Sequence, residues 1–232
     1  MYEYTIHSIA HIENDFCEKF GIPRQSGLVE EVSSQIVFEP EFRNPDAIRG
    51  LEGFSHLWLL WAFEDVDGAN DWSPTVRPPK LGGNTRMGVF ATRSPNRPNH
   101  IGLSCVKLLS ITETEHGPII EVAGADLRNG TPIYDIKPYL PYVDSKPDAL
   151  GGFADKTAYD SIKVDFPAEK LSILPENKRE AAVSLLAQDP RPSYHNDPER
   201  IYGINFGGYN IRFYVSEKVL HVIDVLIMEN DA

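Results

Sequence analysis

Residues 81–102 read LGGNTRMGVFATRSPNRPNHIG, and the reading of this stretch decides what kind of fold surrounds it. Gly82, Gly83, Gly88, Pro95, Pro98 and Gly102 punctuate it too often for a helix. Only residues 87–92 between those breaks have the composition of a strand. Arg86, Arg93 and Arg97 supply charge without an acid nearby, and Asn84, Asn96 and Asn99 can hydrogen-bond bases or their own backbone. A core requires none of these residues. A rigid cationic loop facing an anionic or polar ligand does.

Working outward, residues 103–111 read as the strand that leaves this loop. Upstream, His56 to Phe63 is HLWLLWAF, a continuous apolar run expected to be a central strand buried on both faces. Alternation of Tyr2, Tyr4, Ile6 and Ser8 predicts a half-buried strand over 2–9, and further strands are expected at 33–38, 119–125 and 131–136. Asn44 followed by Pro45 predicts a capped helical turn running to Arg49. Short strands without long amphipathic helices between them favour an antiparallel barrel or sandwich over a doubly wound sheet. Prolines and glycines over 138–152 mark a crossover to a second unit. That unit carries a helix at 176–188, a hairpin of 201–206 and 209–215 about Gly207-Gly208, and a last strand at 219–228.

The 232 residues carry a net charge of −12, which by itself argues against nucleic acid as a partner. The distribution argues otherwise. Residues 72–112 hold Arg77, Lys80, Arg86, Arg93, Arg97 and Lys107 and no acid, so the window is +6 and the remainder −18. A segregated patch of this kind holds a polyanion even on an acidic protein, although acids elsewhere in the fold could also neutralise it. No apolar run reaches bilayer length, and the first residues lack the pattern of a secretory leader. Cys17 and Cys105 form neither a metal spacing nor a disulfide framework, which fits a cytoplasmic location and buried thiols. No histidine cluster has metal or triad spacing, and no G-x-G-x-x-G motif lies between a strand and a helix.

Asp126 and Asp135 fall in DLRNGTPIYDIKPYLPY, residues 126–142, where Asn129-Gly130 and Thr131-Pro132 set a tight turn. The plain reading is an Asx turn and a surface ion pair of Asp135 with Lys137 or Arg128. The functional reading is a pair of carboxylates on a rigid support.

Six stretches carry a resemblance: PRQ at 23–25, RGLEGFSHLWLLW at 49–61, TVRPPKLGG at 75–83, RMGVFATRSPNRPNHIGLS at 86–104, the 126–142 segment, and AQDPRPSY at 187–194. Together they resemble the TsaA-like family of bacterial tRNA (adenine-N6)-methyltransferases over most of the chain. The resemblance implies a mainly β protein: a small antiparallel β-barrel over 1–145 that binds S-adenosylmethionine, and a smaller α+β domain over 146–232. It implies a homodimer, tRNA as partner without a membrane, and methylation of N6 in threonylcarbamoyl-adenosine at position 37 of the anticodon loop. A non-catalytic barrel of the same scaffold, binding a small molecule or RNA, is the alternative.

By that resemblance the cofactor contacts Pro23, Arg24, Gln25, Glu64, Asp65, Arg93, Leu103, Asp126, Leu127, Arg128 and Asn129. Trp58 and Trp61 are expected in the core. Arg86, Arg97, Asn99, Lys137 and Tyr139 are the expected RNA-binding residues. The acceptor nitrogen attacks better if an acceptor takes or orients its proton, which makes Asp126 and Asp135 the candidate catalytic carboxylates. His100 stands where the family usually has proline, which would fix the turn before the next strand.

Overall fold

The computed structural model describes residues 2–63, 72–81, 84–157, 161–191 and 197–228. The first unit contains β1 (Ala10–Glu13), β2 (Ser33–Phe38), β3 (His56–Ala62), β4 (Thr75–Val76), β5 (Met87–Gly88), β6 (Ile101–Thr114), β7 (Gly117–Ala123), β8 (Pro132–Pro138) and the short helix α1 (Pro141–Asp144). Six of these strands close into a barrel in the order β1-β2-β7-β6-β3-β8, every pair antiparallel. The protein is mainly β, as expected.

Closure explains a correction. The apolar run at 56–63 is buried on alternate residues only: Leu57, Leu59 and Trp61 point inward, while the residues between them lie partly exposed. A barrel strand has one face in the core and one outside, whatever the polarity of its outer residues. Ile12, Ile36, Phe38, Val106, Ile120, Val122, Leu127 and Ile133 complete the inner face.

The first strand is displaced from its expected position. Residues 2–9 form no strand, and Tyr2 and Tyr4 are fully exposed. Pairing begins at Ala10 opposite Phe38, and beyond Phe38 the partner chain turns into 3-10 helix at Pro40–Phe42. Ile9 still donates its N–H to the Ile133 carbonyl and accepts the Glu39 N–H, at 2.8 and 2.9 Å, but among the described residues the alternation upstream of it joins no ladder. Over 87–92, the expected strand is two residues long and then coils into a 3-10 turn, Val89–Ala91, closed by the Thr92 N–H and hydroxyl on the Val89 carbonyl. The expected turn at 45–48 is also 3-10, with the Asn44 side chain accepting from the Asp46 N–H at 3.0 Å. Of the two cysteines, Cys17 is exposed and Cys105 only partly buried, because neither side chain falls within a core cluster.

The second unit holds β9 (Lys163–Asp165), α2 (Ala168–Leu171), α3 (Glu176–Ala187), β10 (Tyr202–Phe206), β11 (Tyr209–Ser216) and β12 (Val219–Ile227). Its sheet runs β10-β11-β12-β9, with β9 parallel to β12. Gly207 and Gly208 both have positive φ, 58° and 85°, the hairpin geometry expected of that pair. The sheet and α3 enclose a second core, to which the β1–β2 connection contributes Phe16, Val29 and Val32. The same connection donates Asp15, whose carboxylate pairs with Lys178 and whose carbonyl accepts the Gly207 N–H at 3.2 Å. Among the described residues, no helix is long and apolar enough to cross a membrane.

One glycine sets how β3 lies on β6. Gly102 is opposite Trp61, and a Cβ at Gly102 would fall 2.3–2.7 Å from the indole ring. Gly102→Ala is expected to destabilise the protein by about 1–3 kcal/mol in urea unfolding. Gly53→Ala, where a Cβ meets nothing within 4 Å and the backbone is ordinary, is expected to fall within about 0.5 kcal/mol of the parent.

Candidate active site

The barrel brings together three segments that are distant in sequence. After β7, the chain passes Gly124 at φ 74° and reaches Asp126. Gly124 and Gly27 lie so close that a Cβ on Gly124 would sit 3.2 Å from the Gly27 backbone. Their contact is sealed by Gly27 N–H donating to the Gly124 carbonyl at 2.8 Å. This places Ser26 beside Asp126, and the Ser26 hydroxyl accepts the Cys105 N–H at 3.1 Å. The loop holding Pro23 and Gln25 is thereby pinned to β6.

Asp126 is partly buried and closely held. Trp61 donates its indole N–H to the Ser104 hydroxyl at 2.9 Å, and Ser104 donates in turn to Asp126 Oδ1 at 2.5 Å. Ser104 is 1% exposed. Burial pushes the Asp126 carboxyl above the usual carboxylate range, against the opposing pull of the Ser104 hydroxyl, its own and the Ser26 backbone N–H, and the Arg93 guanidinium. Arg93 is itself exposed and donates to the Gln25 side chain, whose amide nitrogen donates to the Arg24 carbonyl at 2.5 Å.

The remaining expected positions divide. Gln25, Arg93 and Asp126 form one cluster. Leu103 lies beside it on β6, 55% exposed. Pro23 is buried at the base of the loop, and Arg24 turns away to donate to the Arg191 carbonyl at 2.9 Å. Arg191 forms a two-point pair with Asp189, both contacts at 2.8 Å, so PRQ docks against the DPR of the second unit. Leu127 faces the barrel core at 1% exposure, and only its carbonyl is outward, accepting from Asn14 at 2.9 Å. The turn after Arg128 closes by Thr131 N–H on the Arg128 carbonyl, and Asn129 accepts the Asn14 N–H at 2.9 Å. Glu64 and Asp65 lie outside the described residues.

Asp135 has a different environment. It pairs with Lys137 at 2.7 Å and accepts the Ile136 N–H, the surface ion pair of the plain reading. Among the described residues, no hydrogen bond or ion pair joins it to Asp126. Tyr139 packs against Trp58 and His56 on the outer face, ring centroids 5.8 and 6.1 Å away, and Trp58 donates to Asp144 at 3.0 Å. Trp61 is a core residue as expected, whereas Trp58 lies on the partly exposed face. Arg86 donates to the Thr75 hydroxyl at 3.2 Å and is exposed, as is Asn99; Arg97 is partly buried. His100 has φ 46°, which a proline ring cannot adopt, and its Nδ1 lies 2.8 Å from the Pro95 carbonyl.

Sequence reasoning missed Asn14, Ser26 and Ser104. Asn14 and Ser26 lie in the β1–β2 connection, which has no local signal for facing Asp126. Ser104 did have one, as a hydroxyl at an inward position of a strand, where a buried polar group needs partners.

Because the folded-state pKa of Asp126 is raised, its contribution to stability is present below the unfolded carboxylate pKa and is lost as pH rises through the folded value. Asp126→Asn removes this dependence. Melting temperatures of the two proteins across the acidic range should therefore diverge in the variant's favour as pH increases, then run parallel above the folded pKa. A divergence of the opposite sign would show that the carboxylate is stabilised as an anion.

Known proteins resemble this chain in sequence and fold. Residues 11–145 match the family model described as the tRNA-methyltransferase O N-terminal domain, and 160–227 match the TrmO C-terminal domain. The chain is 41% identical over 226 residues to a tRNA (adenine(37)-N6)-methyltransferase of Escherichia coli, covering 94% of this chain and 95% of the relative. It is 37% identical to a putative S-adenosylmethionine-dependent methyltransferase of Pseudomonas aeruginosa, over 96% and 97% of the two chains. A crystal structure of TrmO from Pseudomonas aeruginosa superposes with a TM-score of 0.77 at 32% identity, covering 97% of this chain and 99% of the other. With both domains matched in order and the barrel in common, the chain belongs to the tRNA-methyltransferase O family and is a methyltransferase enzyme.

Proposed function

We propose that this enzyme transfers a methyl group from S-adenosylmethionine to N6 of adenosine 37 in tRNA, with threonylcarbamoyl-adenosine at that position as the acceptor. The observation that carries the reading is the Asp126 carboxylate, gripped through Ser104, pushed up by burial and faced by Arg93. The names of the relatives supply the reaction class.

The donor set suits the methyl donor. Asp126 can accept from its hydroxyls or amine, Arg93 can pair with its carboxylate, and exposed Leu103 offers an apolar surface for its base. The loop of Pro23, Arg24 and Gln25, with the turn of Leu127, Arg128 and Asn129, would frame this site, and Glu64 and Asp65 would close it from the end of β3. Bound there, S-adenosylmethionine would supply an electrophilic methyl carried on a sulfonium.

The protein's own residues position the acceptor. The N6 lone pair is delocalised into the ring, so a carboxylate at its proton favours attack as the N–C bond forms. Asp126 is assigned this role because a raised pKa suits a group that must receive a proton. Asp135, held by Lys137, is the second carboxylate offered for it. Arg86, Arg97, Asn99, Lys137 and Tyr139 are assigned to RNA, whose unpaired loop bases can be splayed out and read. The barrel of residues 1–145 holds the cofactor, and residues 146–232 support its PRQ loop. We further assign the enzyme to the cytoplasm as a homodimer, in which exposed Ile101 and Leu109 of β6 supply apolar surface for association.

Mass spectrometry of tRNA nucleosides from cells with and without the gene tests the reaction. The methylated threonylcarbamoyl-adenosine should disappear when the gene is deleted and return with the parental gene. Asp126→Asn should lower the single-turnover rate by about 100-fold or more with tRNA binding retained. Arg97→Ala should weaken tRNA binding and flatten its salt dependence, by a slope change of about 1.

A further inference from the structure

We propose that Trp72 and Phe90 form a stacking platform for an unpaired base of the RNA substrate, next to the base that is methylated. The proposal rests on the reading above that the substrate is tRNA.

The two rings meet because the chain makes them meet. Pairing of Thr75 with Gly88 and Val76 with Met87 continues through Val89 N–H donating to the Pro74 carbonyl at 3.0 Å. Trp72 leads into this ribbon and Phe90 leads out of it, so their side chains come together at one end. The ring centroids are 6.2 Å apart and the planes 28° from parallel. Val89, 1% exposed, anchors the 3-10 turn and leaves its neighbour Phe90 facing solvent. Phe90 is 72% exposed and Trp72 49%.

Other exposed aromatics, such as Tyr2, Tyr4 and Tyr142, have no such setting. The Trp72–Phe90 pair lies in the acid-free window 72–112. Arg86, held by Thr75 on the same ribbon, and Arg93, three residues beyond Phe90, are both exposed. Arg93 also acts on Asp126 and donates to Gln25, so the loop that carries Phe90 runs within three residues to a side chain of the proposed reacting site. An apolar protein partner would meet a surface two rings wide bordered by arginines that, among the described residues, pair with no carboxylate. A nucleotide meets both features with the complementary parts, its base over the rings and its phosphates on the arginines.

The test uses the full chain, a synthetic tRNA anticodon stem-loop, and a fully paired RNA hairpin stem of the same length. Affinity is read by anisotropy of labelled RNA, and stacking by quenching of tryptophan emission. The stem-loop should quench the parent and the paired stem should not. Trp72→Phe should keep its affinity and lose the quenching. Trp72→Ala and Phe90→Ala should each bind the stem-loop about 5- to 100-fold more weakly, with an unchanged slope against salt, whereas Arg86→Ala should flatten that slope. Alanine variants that bind the stem-loop like the parent, while the parent still methylates tRNA, overturn the platform alone. A change of sedimentation coefficient in Trp72→Ala and Phe90→Ala overturns it in favour of a contact between subunits. A parent that neither binds nor methylates tRNA overturns the RNA reading, and the platform with it.

Discussion

A carboxylate that is half withdrawn from water has to be given hydrogen bonds, and the run from the Trp61 indole through the Ser104 hydroxyl to Asp126 does this. Each link comes from a different strand or connection, so the run exists only once the barrel is closed. β3 supplies the indole, β6 the hydroxyl and the segment after β7 the carboxylate. Gly102 is part of the same arrangement, since the indole can lie across β6 only where no Cβ intervenes. A serine hydroxyl both accepts and donates, which makes Ser104 suited to stand between a donor-only indole and an acceptor-only carboxylate.

The two cores are interlocked. The β1–β2 connection leaves the barrel, inserts Phe16, Val29 and Val32 into the second core, and returns to β2. On the way it presents Ser26 and Gln25 to the site and Arg24 to Arg191. Among the described residues, the second unit bears on the proposed site by fixing the loop that carries Gln25. Loss of the Asp189–Arg191 pair would be felt at Gln25 and Arg93 through backbone position rather than through charge.

Electrostatics on this protein are organised by segregation. The remainder of the chain is acidic, and the window 72–112 carries no acid of its own, although its Lys107 is paired with Glu30 at 3.1 Å. For the RNA substrate proposed above, such a division would favour an approach in which the loop between β5 and β6 comes first. The left-handed backbone at His100 closes that loop, with its imidazole nitrogen near the Pro95 carbonyl and its own carbonyl accepting the Phe63 N–H at 2.8 Å.

Local signals in the sequence determined much of this architecture. Alternation located β2, β6, β7 and β8 to within a few residues, because a strand's burial pattern is written in its own side chains. Gly207-Gly208 and Asn44-Pro45 determined their turns, because φ preference is a property of the residue. The acid-free window was equally readable, since charge is additive along a chain. What the tertiary structure decided depends on partners. Residues 2–8 alternate like a strand but pair with no strand among the described residues, and the apolar run at 56–63 became half-exposed because closure gives every barrel strand an outside. Asp126 and Asp135 read as acids flanking one turn, with Asp126 the weaker candidate base because a cofactor hydroxyl could claim it. Folding put one against Ser104 and Ser26 and left the other on Lys137, because burial and hydrogen bonding are set by segments that the sequence keeps dozens of residues apart.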